Sequence, residues 1–166
     1  PAAYQEAAPF GANVGGANPA FFAITAAAEF DSWLTVGITE GDTTGALSSI
    51  GIDWDSWTAS SDLSTNDGAV FLLDPSRGPL GTAVVAQVTV TGAATATLCA
   101  QGLIDGSLPV TDGSGTYPVW TAPGITYTLG AAAPPGYRNC AAAVDAGVCL
   151  SAGADLAPQP VRLTPR

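Results

Sequence analysis

The segment 19–79 constrains the fold most, because its short apolar runs end in turn residues and follow no helical period. Residues 32–39 alternate between two sets of side chains, a period of two that is typical of a β-strand. The sequence Asn66-Asp67-Gly68 is a turn signal, and Asp74-Pro75 ends the apolar run that follows it. The segment therefore predicts short strands joined by turns.

The rest of the chain continues this pattern of short strands. The run 83–90 alternates most cleanly, and we expect 94–101 to return beside it as its hairpin partner through Thr91-Gly92. Many short strands without a long helical pattern predict an all-β chain, either an antiparallel β-sandwich or a jelly-roll-like fold. The complete set of predicted strands is 20–25, 32–39, 47–54, 69–73 (expected to be buried), 83–90, 94–101 and 125–129.

Composition divides the chain into three parts. Residues 1–18, rich in Gly, Ala, Pro and Asn, predict an extended N-terminal arm without regular structure. Residues 19–130 form the predicted β-sandwich domain. Regular patterns end near residue 130, so we expect residues 131–166 to form an irregular Pro/Ala-rich tail that contains cysteines. Such a tail is suited to be an inter-subunit linker or a donor segment.

The charge of the chain excludes several classes of function. Its 166 residues include 14 acidic residues, four arginines and no lysine or histidine, which gives a net charge of −10. A basic surface for nucleic-acid phosphates is therefore excluded. The commonest general base and the Schiff-base amine are also missing, and no carboxylate pair stands out, so we expect no enzyme. Apolar runs are too short for a membrane helix of ~18 residues, so we expect no membrane insertion.

The low charge raises the question of what covers the surface. Only 11% of the residues are charged and the mean hydropathy is +0.30, whereas a monomer normally keeps a charged surface. Copies of the chain, glycans, or its many Thr and Ser side chains are the alternatives. The chain has no N-x-S/T sequon. Candidates for O-glycosylation, with the prolines in hydroxylated form, are Thr43, Thr44, Ser60, Ser61, Ser64, Thr65, Thr111, Thr116, Pro134, Pro135, Pro158, Pro160 and Pro165.

The chain contains three cysteines, an odd number. Cys140 and Cys149 are close in the tail and predict a disulfide, which stabilises by about 2–3 kcal/mol in the chain-entropy model. Cys99 lies in a predicted strand between apolar neighbours. It is either a small buried hydrophobic residue or a link to the tail or to another chain.

Two further clusters are candidates for ligand binding. Asp53 and Asp55 offer carboxylate oxygens to Ca²⁺, although their spacing does not fit an EF-hand loop, and solvated turn aspartates are the simpler interpretation. Trp33, Trp54 and Trp57 offer a platform for stacking on sugars, as in a carbohydrate-binding module. Packing in the core is the simpler interpretation of these aromatic side chains.

Several blocks of the sequence resemble a known family. Between about residues 4 and 102 the chain contains NPAFFA, EFDSWLTVG, LSSIGIDWDSW, NDGAVFLLDP, VVAQVTV and ATLCAQG. These blocks resemble a secreted, largely uncharacterised family of surface proteins from algae, oomycetes and aquatic bacteria. The resemblance implies an all-β extracellular module and brings no catalytic residues. Cys99 stands where that family commonly has Asn.

The resemblance also implies how the chain works. The family carries strand-like sequence upstream of the block at Tyr4, so we expect this domain to lack a strand. The missing strand either precedes Pro1 in a longer chain or comes from a neighbour by strand addition, with 1–18 or 154–166 as donor. We therefore expect a non-enzymatic protomer of a secreted, glycosylated filament that grows head to tail. The alternative is a carbohydrate-binding or Ca²⁺-stabilised adhesion module of a larger secreted protein.

Overall fold

The structure is a computed structural model that describes residues 1–103, 119–129 and 160–163. In these ranges all sheets are antiparallel and the helical elements are 3₁₀ turns of three to five residues, which confirms the all-β prediction. The 3₁₀ turns are Pro19–Phe21, Ala26–Phe30, Trp54–Ser56 and Pro75–Arg77. The strands are β1 Trp33–Leu34, β2 Leu47–Ile50, β3 Ala69–Leu72, β4 Ala86–Thr89, β5 Ala94–Leu103, β6 Val119–Leu129 and β7 Pro160–Leu163.

A three-stranded sheet in the order β1-β4-β7 contains the most buried strand. Its middle strand, β4, is antiparallel to both neighbours, and all four of its residues are buried. Trp33 of β1 lies opposite Gln87, and Val161 of β7 lies opposite Val88. The apolar alternation of 83–90 therefore produces a short strand with both faces covered.

Strands β2 and β3 form a separate two-stranded sheet in which Leu47 lies opposite Leu72 and Ile50 opposite Ala69. The strand at β3 occurs where the sequence predicts it, but the expectation that it is buried is wrong. Its residues alternate between exposed and half-buried because a two-stranded sheet packs by one face only. β2 ends at Ile50, before Gly51 takes a φ of +67°.

Strands β5 and β6 form a long ribbon that packs against β4 without pairing with it. The predicted hairpin between 83–90 and 94–101 is therefore wrong. β4 has no free edge for β5, since β1 and β7 flank it. The ribbon carries an irregularity after Leu98, where Ala100 already pairs with Ala122 and Gly124 takes a φ of +67° on the opposite strand.

Two other strand predictions fail for local reasons. Residues 20–25 form 3₁₀ and turn structure, because the Asn18 side chain accepts a hydrogen bond from the Ala20 N–H at 2.9 Å and Pro19 starts the turn. The run 32–39 keeps only two strand residues, and Gly37 with a φ of +83° breaks its extended course.

A buried apolar cluster joins the three-stranded sheet, the β5–β6 ribbon and the N-terminal residues. It contains Ala86 and Val88 of β4, Ala96 of β5 and Leu129 of β6, together with Ala3 and Trp57. Most of these side chains are small, so the strands approach closely around one large ring. Burial of Trp57 is therefore central to the stability of this cluster, since a fully buried aromatic side chain contributes about 2–3 kcal/mol.

Candidate strand-exchange site

The backbone of β4 directs its hydrogen bonds to two sides. The Thr89 N–H donates to Ser32 Oγ at 2.9 Å, and the Thr89 carbonyl accepts from the Tyr4 N–H at 2.8 Å. Gln87 pairs with Trp33 on the same side. Because successive residues of a strand point their backbone groups in opposite directions, Ala86 and Val88 direct theirs to the β7 side. We call the β7 side of β4 the acceptor edge.

Strand β7 completes the acceptor edge. Its register places Leu163 opposite Ala86 and Val161 opposite Val88, which makes these the two hydrogen-bonded pairs. Each buried N–H or carbonyl group left unpaired costs about 1–3 kcal/mol. The acceptor edge therefore requires an occupant, and a segment that lies far away in the sequence supplies it.

Buried polar groups hold β4 from the other side. The Gln87 Nε2 donates to the carbonyl oxygens of Glu29 and Asp31 at 2.9 and 2.8 Å, and Gln87 is 2% exposed. One amide therefore fixes the chain that leads into β1 against the middle of β4. These two hydrogen bonds hold β4 through residues that lie outside β7.

The carboxylate of Asp31 ties the N-terminal arm to these residues. It is fully buried and accepts hydrogen bonds from the Glu6 N–H at 2.8 Å and the Ala12 N–H at 2.6 Å. Burial raises the pKa of Asp31, and these two backbone donors oppose that shift. Nearby, the Tyr4 hydroxyl donates to Glu6 Oε2 at 2.6 Å, and this hydrogen bond together with burial raises the pKa of Tyr4 to about 12.

The first residues of the arm are built into the fold. Ala3 is 2% exposed and its N–H donates to the Thr58 carbonyl at 3.0 Å, while Trp57 Nε1 donates to the Pro1 carbonyl at 3.0 Å. The Tyr4 N–H already bonds Thr89. Of the two donor candidates from the sequence, the segment 154–166 contributes β7, which pairs with β4 of the same chain, whereas the first residues of the arm bond Thr58 and Thr89.

The predicted tryptophan platform is not formed. Trp33 and Trp57 are 1% and 3% exposed, so neither ring offers a face to a sugar. Trp54 is half-buried, with its ring centroid 6.3 Å from that of Trp57 and its Nε1 donating to Ser49 Oγ at 3.1 Å. The physical reason is the core, where large rings fill space between strands that carry small side chains.

The candidate Ca²⁺ ligands Asp53 and Asp55 are both exposed. Asp53 precedes the 3₁₀ turn Trp54–Ser56, and its carbonyl accepts from Ser56 Oγ at 2.7 Å. Asp55 lies in that turn. Within the described ranges, no three or more His, Cys, Asp or Glu residues gather in a group that could hold a metal.

Some of the candidate O-glycosylation residues lie in the described part of the chain and others lie outside it. Thr43, Thr44, Ser60, Ser61, Ser64 and Thr65 are all exposed. The hydroxyls of Thr44 and Thr65 lie within hydrogen-bond distance of Asp42 Oδ1 and the Gly51 carbonyl, at 3.1 and 3.0 Å. Pro160 lies in β7. The remaining candidates lie outside the described residues: Thr111, Thr116, Pro134, Pro135, Pro158 and Pro165, as do Cys140 and Cys149 with their predicted disulfide.

Cys99 is exposed, and its thiol is free among the described residues, so its interpretation as a small buried hydrophobic residue is wrong. The burial of β5 alternates, with Leu98 and Ala100 half-buried on the inner face and Cys99 on the outer face. Apolar neighbours in sequence do not imply burial in a two-stranded ribbon, because they point to the opposite face.

Sequence reasoning missed the polar residues that build the site. Gln87 interrupts the apolar run VVAQVTV, and Asp31 stands between Phe30 and Trp33 in FDSW. A polar residue inside a buried strand signals a specific hydrogen-bonded role, since burial without partners is costly. That signal is present in the sequence, but the partners come from residues up to 58 positions away in the chain.

Comparison of the chain with protein-family models, with curated proteins and with solved structures found no match. The family resemblance in the sequence blocks therefore stays a prediction. In the ranges that the structure describes, no helix has the length and apolar character needed to cross a membrane.

Proposed function

We propose that the chain is a non-enzymatic protomer of a secreted, glycosylated filament, in which residues 160–163 of one copy complete the three-stranded sheet of the next. The observation that supports this most is the antiparallel pairing of β7 with the buried strand β4 over four residues. A sheet that takes its outer strand from a distant segment of the chain is suited to take the same strand from another copy.

The length of the connection supports exchange between copies. Residues 130–159 separate β6 from β7, and a chain of that length reaches at most about 100 Å when fully extended. This reach is about 20 times the distance between neighbouring strands of a sheet, which is about 4.8 Å. The strand has the same sequence and the same backbone register whether it comes from its own chain or from a neighbour. Each copy would both donate and accept, and such contacts propagate head to tail.

We also propose that the fold is a β-sandwich with jelly-roll-like character. The buried cluster, which contains Ala86 and Val88 of the three-stranded sheet and Ala96 and Leu129 of the β5–β6 ribbon, supports this assignment, because the two sheets of a sandwich share one core. The strand that completes one half would then come from the neighbouring protomer.

Secretion and glycosylation rest on composition and exposure. The chain has few charges, and six of the predicted Ser and Thr attachment residues lie on the surface of the described part. Apolar side chains are also exposed in that part, among them Ile50, Leu73 and Leu80. A surface with exposed apolar side chains and few charges tends to associate. Sugars and neighbouring copies would cover it.

Electron microscopy of the native, unreduced chain tests the proposal. We expect regular filaments whose subunit repeat matches one domain, and intact-mass spectrometry should show added sugar. Dispersed particles of one domain at all concentrations would contradict the filament. Filaments that persist after β7 pairing is blocked would show that another contact links the copies.

A further inference from the structure

We infer that a free protomer caps itself: its own β7 occupies the acceptor edge and must leave before a neighbour's strand can enter. This inference rests on the proposed function and concerns how assembly is controlled. It follows from the pairing of β7 with β4 within one chain, in a register that covers all four residues of β4.

Occupation of the acceptor edge is exclusive. Ala86 and Val88 each direct one N–H and one carbonyl to that side, and Leu163 and Val161 are the residues that face them. On the other side, Thr89 bonds Ser32 and Tyr4, and Gln87 pairs with Trp33. A second strand therefore has no free edge of β4 to join while the chain's own β7 is in place.

Tethering favours the internal strand. A strand covalently joined to its target has an effective concentration that depends on the length of the connection and reaches the millimolar range. At micromolar protein, the chain's own strand therefore outcompetes a neighbour's identical strand by roughly 10²- to 10³-fold. Isolated protomers should consequently remain single, and growth requires either high local concentration or the release of β7. In the filament, an exchanged strand would then stabilise each contact between neighbouring copies.

Amide hydrogen exchange on the full-length wild-type chain tests this inference directly. The probe is the peptide region that contains Ala86 and Val88, measured at a protein concentration where the chain is monomeric and again where it assembles. Self-capping predicts strong protection of these two amides in the monomer, unchanged within about twofold on tenfold further dilution. A strand supplied only by neighbours predicts protection that disappears on dilution.

The outcomes separate self-capping from filament formation. Protection in the assembled state alone overturns self-capping and leaves the proposed function intact. Protection in the monomer without filaments at any concentration supports self-capping and contradicts the proposed function. Absence of protection in both states shows that no strand occupies the acceptor edge, which overturns both.

A pair of proline variants in the full-length chain provides the control. Val161→Pro removes an N–H that faces β4, whereas Arg162→Pro removes one that faces away from it. We expect at least tenfold faster exchange at Val88 in the first variant and a much smaller change in the second. Equal acceleration in both would mean that β7 does not hold the edge in this register, and self-capping as proposed would be wrong. Binding of a labelled peptide of residues 157–166 should likewise be at least tenfold tighter for Val161→Pro than for wild type.

Discussion

Pro160 lies opposite Thr89, whose backbone N–H and carbonyl are already bonded to Ser32 Oγ and the Tyr4 N–H on the far side of β4. Proline has no backbone N–H, so a strand tolerates it where that N–H would bond no neighbouring strand. Position 160 of β7 meets this condition, because the backbone groups of Thr89 point away from β7. The register thus accommodates the proline of the tail, and moving the strand by one residue would place it where a donor is needed.

This register predicts how the filament responds to single substitutions. Val161→Pro should abolish filaments, because it removes a donor at a hydrogen-bonded pair. Arg162→Pro, one residue along, should leave filaments that are visible by electron microscopy. The same outcome for both variants, whether filaments or none, would show that pairing with β4 in this register is not the link between copies.

Gly16 should tolerate no side chain. It is buried with a φ of +88°, and a Cβ there would clash with the backbone carbonyl of Thr39. Gly45, with a φ of +65° and open space around it, is a matched control that isolates the backbone cost of about 1–2 kcal/mol. Gly16→Ala should lower the free energy of unfolding by roughly 2 kcal/mol more than Gly45→Ala, as measured by urea unfolding. Equal losses would show that the loop around Thr39 yields to the added methyl group.

The buried carboxylate of Asp31 should be important for the arm. Asp31→Ala leaves the N–H groups of Glu6 and Ala12 without their acceptor and creates a cavity. We expect a loss of about 2–4 kcal/mol in the free energy of unfolding and faster amide exchange in residues 4–12. Asp55→Ala, at an exposed position, should change stability by less than about 0.5 kcal/mol. A similar small effect at Asp31 would mean that the arm is held by other contacts.

Asp42 should make stability depend on pH in a defined direction. The Leu47 N–H is the main cause of its lowered pKa, and further hydrogen bonds from Ala46 and Thr44 add to it. A carboxyl whose pKa is lower in the folded state stabilises the fold above its ordinary pKa, and this contribution is lost as the pH falls through the folded value. The Asp42→Asn variant, which resembles the protonated state, should therefore be less stable than wild type at neutral pH, with a difference that shrinks below about pH 4.

The measurement for Asp42 is urea unfolding of both chains at a series of pH values. Asp31 titrates in both chains, so its raised pKa cancels in the comparison. Asp55→Asn controls for the change in net charge. A difference between wild type and Asp42→Asn that stays constant down to acidic pH would show that the carboxylate charge is not what stabilises this loop.

Cys99 should react in the native state. Its thiol is exposed in the described part of the chain, so iodoacetamide should label it without denaturant or reductant, and Cys99→Ser should change stability by less than about 0.5 kcal/mol. Labelling only after reduction would instead support the disulfide to the tail or to another chain that its sequence leaves open.

The sequence by itself determined the class of fold and the position of several strands. Alternation and turn residues place β2, β3, β4 and β5 within a few residues of their predicted bounds. These signals are local, since a period of two and an Asn-Asp-Gly turn act through neighbouring residues. The absence of histidine and lysine from the sequence likewise limits the chemistry that the chain can perform, whatever its fold.

Only the tertiary structure decided which strands pair and which polar residues become important. The backbone groups of a strand can pair with those of any other strand. Proximity in the sequence therefore favours β5 as the partner of β4, but in the structure β7 occupies that edge of β4. The roles of Gln87 and Asp31 depend on carbonyl and N–H groups that lie far away in the chain. Burial likewise distinguishes Trp33 in the core from Cys99 on the surface, because exposure depends on what packs above a residue and not on its sequence neighbours.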